Sequence, residues 1–330
     1  MKRLVDIDIA KGIVIILVVI GHSYTTWNLV CQLIGSFHMP FFFIVSGILY
    51  GKQIEKAVNL KFDCRKRIKS LIIPWLIWGS IYHFFIGILR VIGGCSIGEQ
   101  LNLYLKEIVQ LGLGSVWFLP ALFISSAVVV CNAHNMKKCY IITLVCLFIG
   151  LAFPETEGIS NTLLRTIAAC GFIGLGFVSF EIFTKKVSSI IIFECGIVFV
   201  LSALNNEIVA MYARKFGNPA MFFISSVFGS FLLLNLSIRL KRYKNCWVVK
   251  LLKMYGQKSI IILCTHNIII EIIRLVDYKL FNDSLLKLGI TEGLIMTAIV
   301  FMILTPAFSV IEQKFGLTFG LGKRGKGCGK

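Results

Sequence analysis

The chain has 330 residues, of which 57% are hydrophobic and only 15% charged, and its mean hydropathy is +0.85. A soluble fold of this length needs roughly a quarter of its residues charged, so the composition excludes a soluble enzyme, a disordered scaffold and a nucleic-acid-binding module. What remains is an all-α, polytopic membrane helix bundle, in which the net charge of +18 asks which side of the bilayer the lysines and arginines occupy.

Apolar runs long enough to cross a bilayer as helix predict ten spans, at about 9–27, 33–50, 68–90, 113–131, 140–153, 163–183, 190–204, 217–238, 258–275 and 290–312. The basic residues fall mainly at the start, in 52–69, 137–138, 185–186 and 239–258, and in the tail. These segments share one side of the membrane when both termini are cytoplasmic, as the positive-inside rule requires. The first run is long for a signal core and lacks a small-x-small cleavage site, so it is expected to be retained as a span. The eleven cysteines are scattered without ligand spacing, which predicts free thiols and no metal. Residues 1–315 read as one integral-membrane domain and 316–330 as a basic, Gly-rich cytoplasmic tail. No internal repeat is evident.

Ionisable groups inside spans cost several kcal/mol unless paired or facing water, so they are the functional candidates. The first span, DIAKGIVIILVVIGHS, carries Asp8, Lys11 and His22. Lys11 and His22 are eleven residues apart, close to a whole number of turns, so both project from one helix face, separated by about 16–17 Å along the axis. Asp8, three residues before Lys11, shares that face. A cation at the inner mouth and an imidazole farther out suit a ligand with an anionic head and a long thin arm. Acyl-coenzyme A has that shape. The competing reading is structural: Lys11 snorkels to headgroups with Asp8 as its partner, and His22 hydrogen-bonds a neighbouring helix.

The same segment resembles the opening signature of the acyltransferase-3 family of integral-membrane O-acyltransferases. FHMPFFFIVSGILY (Phe37 to Tyr50), RKRIKSLIIPW (Arg65 to Trp75), VWFLPALF (Val116 to Phe123) and GQKSIIILCTHN (Gly256 to Asn267) are similar, in order, to its later motifs. The nearest pattern is the fucose 4-O-acetylase-like branch, which has no appended extracellular domain. Many members carry Arg where this chain has Lys11; Lys keeps the charge but loses the bidentate fork.

The resemblance implies transfer of an acetyl group from cytoplasmic acetyl-CoA to a sugar hydroxyl of a surface or exported polysaccharide or its lipid-linked precursor, by a multi-pass protein of the cell membrane. Such a transfer needs a base for the hydroxyl and donors for the developing oxyanion. His22 is the expected base, with Asp8 and His38 as further catalytic candidates; His38 either binds the acceptor, helps the oxyanion or is an interfacial residue. Lys11, Arg65, Arg67, Lys69, Lys258 and His266 are the expected donor-binding residues, although the basic cluster equally fits lipid headgroups. Trp117, Phe118, His83 and Glu271 are candidates for the acceptor side, where Trp117 and Phe118 also fit an aromatic belt and Glu271 also fits an i,i+3 pair with Arg274. Membrane lipids are the other expected partner. The rival readings are a transporter or flippase for a lipid-linked glycan, and a glycan polymerase.

Overall fold

The computed structural model describes residues 4–26, 28–56, 60–281 and 290–321. Among these the chain is helical and has no strand, only an isolated bridge between Ala210 and Lys215. In order, the helices are α1 (Val5–Ser23), α2 (Leu29–Gly35), α3 (His38–Ile54), α4 (Cys64–Arg67), α5 (Ile73–Ile92), α6 (Ile97–Val109), α7 (Phe118–Asn132), α8 (Met136–Ala152), α9 (Gly158–Val178), α10 (Phe180–Thr184), α11 (Ser189–Leu204), α12 (Pro219–Leu240), α13 (Trp247–Gln257), α14 (Ser259–Phe281) and α15 (Ile290–Phe315).

Among the described residues, seven helical stretches are long and apolar enough to cross a membrane. Each of the ten expected segments falls on a helix. The three outside the seven depart for visible reasons: α8 and α11 have only 17 and 16 residues, and α1 carries Asp6, Asp8 and Lys11. The acidic pair sits in α1's first turn, where it complements the helix dipole.

Helix α1 lies at the centre, packed against α3, α12, α13, α14 and α15. Lipid gives helices no hydrophobic reason to associate, so close approach at small residues does that work. A Cβ at Gly12 would fall on the Leu252 carbonyl, and one at Gly256 on the Asp8 carbonyl, so α1 and α13 touch backbone to backbone. The α3–α9 crossing is built alike: Gly47 meets the Ile173 carbonyl and Gly176 the Ile44 carbonyl.

Two segments expected to be connections are helices. The 91–112 segment forms α6, whose Ser96 accepts from the Glu99 N–H while Glu99 accepts from the Ser96 N–H, a reciprocal capping box. The 239–258 segment forms α13, which buries Val249, Tyr255 and Gly256. Before Pro74, Ile68–Ile72 widens into a π turn, which accommodates the proline's missing donor and its clash with the preceding turn. The segment read as tail from Gly316 begins folded: Gly316–Phe319 is a 3₁₀ turn, and Phe319 stacks on Trp78 with ring centroids 4.6 Å apart. The rest of the predicted tail, 322–330, lies outside the described residues.

Candidate active site

Lys11 and His22 line different cavities beside α1. Lys11 lines one end of an apolar channel of about 150 Å³, walled by Ile15 and Val18 of α1, Met39 and Val45 of α3, Phe118 of α7 and Leu263 of α14. Val18, Met39 and Leu263 also line a second cavity of about 340 Å³ that contains His22, His38, Trp117 and Tyr212. Those three side chains stand between the two cavities and line both. His22 is exposed, and its surface opens into this outer cavity and into a third that holds His83, Arg90 and Glu107.

Two further imidazoles converge on this end. His266, fully buried, has its ring centroid 5.1 Å from that of His22 in an edge-to-face arrangement. Its Nδ1 lies 2.9 Å from the Ile262 carbonyl and 3.0 Å from that of Leu263. Both partners are acceptors, so Nδ1 carries the proton and Nε2 keeps the lone pair. That Nε2 is buried without a hydrogen-bond partner. His38 Nδ1 is likewise 2.7 Å from the Ile34 carbonyl, leaving its Nε2 as an acceptor.

The His22 end of α1 is held from outside. The last carbonyls of a helix have no partner within it, and here Arg274 Nη2 donates to the carbonyls of His22, Ser23 and Tyr24, each at 3.3 Å. Nη1 of the same guanidinium pairs with Glu271 at 3.0 Å. From α15, Thr297 contacts Ser23 at 3.2 Å and Glu292 accepts from Thr25 at 3.2 Å. Arg274 is a positioning residue that the sequence reading missed, since the i,i+3 spacing with Glu271 already accounted for its charge. We expect Arg274→Leu to lower the acyl-transfer rate constant by about tenfold to a hundredfold, because misplacement on the order of 1 Å has that cost. Arg274→Lys should recover part of the loss and the KM for the donor should stay close to wild type. Steady-state kinetics in purified membranes tests this.

The outer wall is a polar network. Arg165, 2% exposed, donates to the carbonyls of Tyr212 and Gln110, each at 3.1 Å, and its guanidinium lies 4.8 Å from the ring centroids of both Trp117 and Tyr212. Burial and the neighbouring Glu107 carboxylate push the Tyr212 hydroxyl up to about 12. It therefore stays protonated and donates to Glu107 at 3.0 Å. Glu107 also accepts the Leu113 N–H at 2.8 Å, so Trp117 is fixed from two sides.

The other sequence candidates are placed differently. Asp8 is fourteen residues before His22, about 21 Å along the helix, and accepts a hydrogen bond from Gln257 at 2.9 Å; it does not reach the imidazole. Phe118 lines the inner channel rather than the outer cavity, packed on Phe43 at 4.7 Å. Glu271 is engaged by Arg274, and Lys258 by Glu312, while the adjacent Ser259 lines the channel. Arg67 lies over the Tyr50 ring at 5.3 Å, and Arg65 and Lys69 are exposed. His83 lines the third cavity. Among the described residues no group of His, Cys, Asp and Glu has a metal-binding arrangement.

Sequence comparison joins this geometry to a chemistry: the acyltransferase-3 family model, described as an acyltransferase domain, matches residues 4–311. The chain belongs to the acyltransferase-3 family. No curated protein and no solved structure matches it. The match takes in every candidate residue of the two cavities, and with seven apolar helices it makes the protein a multi-pass membrane acyltransferase.

Proposed function

We propose that this acyltransferase moves an acetyl group from cytoplasmic acetyl-CoA to a sugar hydroxyl of an exported or surface polysaccharide or its lipid-linked precursor, as in the fucose 4-O-acetylase-like branch. In this reading it lies in the cell membrane with ten spans and both termini cytoplasmic. The observation that supports the proposal is a pair of adjoining cavities, one lined by Lys11 and the other by the open imidazole of His22, with Val18, Met39 and Leu263 lining both. An anionic donor held at the Lys11 end would reach His22 only with a thin arm.

At His22 the chemistry is acyl transfer by general base catalysis. The acceptor hydroxyl oxygen attacks the thioester carbonyl carbon as an imidazole nitrogen of His22 removes its proton. A C–O bond forms, the C–S bond breaks, and the proton passes from His22 to the leaving thiolate, giving ester and thiol. The Nε2 of His266 is buried without a partner and its ring lies edge-to-face against that of His22; a hydrogen bond to it from the other His22 nitrogen would fix the tautomer that leaves the reacting nitrogen basic.

The donor end is tested separately. Lys11→Met should raise the KM for acetyl-CoA by about 10- to 100-fold, the worth of a hydrogen bond to a charged group, with a smaller change in the rate at saturation. Labelled acetyl-CoA supplied to membranes with the glycan fraction of the same cells gives both constants. Deletion that abolishes glycan export while leaving acetylation of retained glycan intact would favour a transporter instead.

A further inference from the structure

The third cavity, about 380 Å³ and containing His22, Arg90 and Glu107, is not closed on its far side. Through His83, Gly87 and Gln100 it continues into a groove of about 380 Å³ between α5 and α6, walled by Phe84, Ile88, Leu101 and Tyr104. The groove is apolar apart from those junction residues. On the span itself, Phe84 and Ile88, which wall the groove, are 60% and 61% exposed, so in a bilayer this side of α5 faces lipid tails and the groove opens laterally. On the polar side of the junction, one turn beyond Gly87, stands Arg90. It is exposed and forms no ion pair among the described residues. An apolar chain, then a cation, then a cavity with an imidazole is the order of parts in one kind of molecule.

We infer that the acceptor enters sideways from the membrane as a glycan on a polyprenyl phosphate, with the isoprenoid chain in the α5/α6 groove, the phosphate at Arg90 and the sugar beside His22. This rests on the acetyl-transfer reading above and narrows it from any exported glycan to the lipid-linked class. An ordinary phospholipid would match the groove and the cation but would bring no sugar hydroxyl to His22. The glycine at the junction has a function here. A Cβ at Gly87 would meet nothing closer than the Gln100 Cβ at 3.9 Å, so the helices leave a gap where a chain can pass.

The test uses the full-length protein in membranes with labelled acetyl-CoA. The lipid-linked glycans extracted from cells that carry the protein are supplied intact, or after mild acid has cleaved the glycan from its lipid phosphate, at equal sugar concentration. The intact pool should be labelled at least about tenfold faster than the released one, a modest return for the anchoring energy of an apolar chain. Gly87→Phe, for which the backbone has room, should bring the intact pool down to the released rate, and Arg90→Gln should raise its half-saturating concentration. Added undecaprenyl phosphate should compete with the intact pool, and phosphatidylglycerol vesicles should not. Equal labelling of both pools by the wild type, no effect of Gly87→Phe, or equal competition by phosphatidylglycerol would overturn the inference and leave acetyl transfer standing. Labelling of neither pool would remove the acetyl-transfer reading itself.

Discussion

Replacing His22 by alanine is expected to lower acyl transfer by about 10²–10⁴-fold, the usual contribution of a positioned general base, while the protein still inserts and folds. The expectation rests on where the side chain lies. His22 is exposed in an otherwise closely packed bundle, its surface opening into two cavities, so truncation removes a reacting group without emptying a core position. The neighbouring imidazole sharpens the test. His266 has one nitrogen committed to backbone carbonyls and the other buried without a partner. His266→Leu should therefore lower the transfer rate constant with little effect on the KM for the donor, and His266→Gln, which keeps an acceptor, should retain more activity than leucine. The reading of His266 as a wall of the donor channel requires the opposite pattern, a raised KM at unchanged rate constant. Acetate incorporated from labelled acetyl-CoA, normalised to folded protein, separates the two.

Gly12→Val is expected to damage stability severely. The added carbons would occupy the position of the Leu252 carbonyl, and the Gly256 nitrogen lies 3.2 Å from the new Cβ. Neither is a flexible side-chain end that can step aside, so α1 and α13 must separate. Overpacking of this kind costs about 3 kcal/mol, and here the helix displaced carries both Lys11 and His22. The detergent-solubilised protein should lose its thermal transition or show it at much lower temperature, with activity falling in parallel. Gly98→Ala on α6, where a Cβ meets nothing within 4 Å, should leave the transition in place. A wild-type transition for Gly12→Val would mean that the crossing is looser than drawn here.

The sequence made the central stripe readable because it depends on one helix and one period. Lys11 and His22 follow from 3.6 residues per turn, whatever surrounds them. Features that depend on two elements were less accessible. Helix α13 was read as a basic loop because its lysines dominate composition, although Val249, Leu252 and Tyr255 recur at helical spacing. The Ser96/Glu99 capping box was a usable start signal for α6 in a segment read only as the connection between two spans. Asp8 shares a face with Lys11, as the spacing requires, but about 21 Å of helix lies between it and the His22 imidazole. Phe118 and Trp117, adjacent in sequence, face different compartments, a division that only the crossing of α7 with its neighbours decides. Nothing local identified Arg274 as the residue that closes the end of α1.

The apolar side chains of Val18, Met39 and Leu263, which line both cavities, bear on what a membrane must also do, which is to keep its voltage. Three apolar side chains between the two cavities offer a hydrated ion no polar contact, and water leaves such apolar surroundings readily. On the proposed reading, an acyl group would be handed from one cavity to the other past side chains that offer an ion nothing to bind.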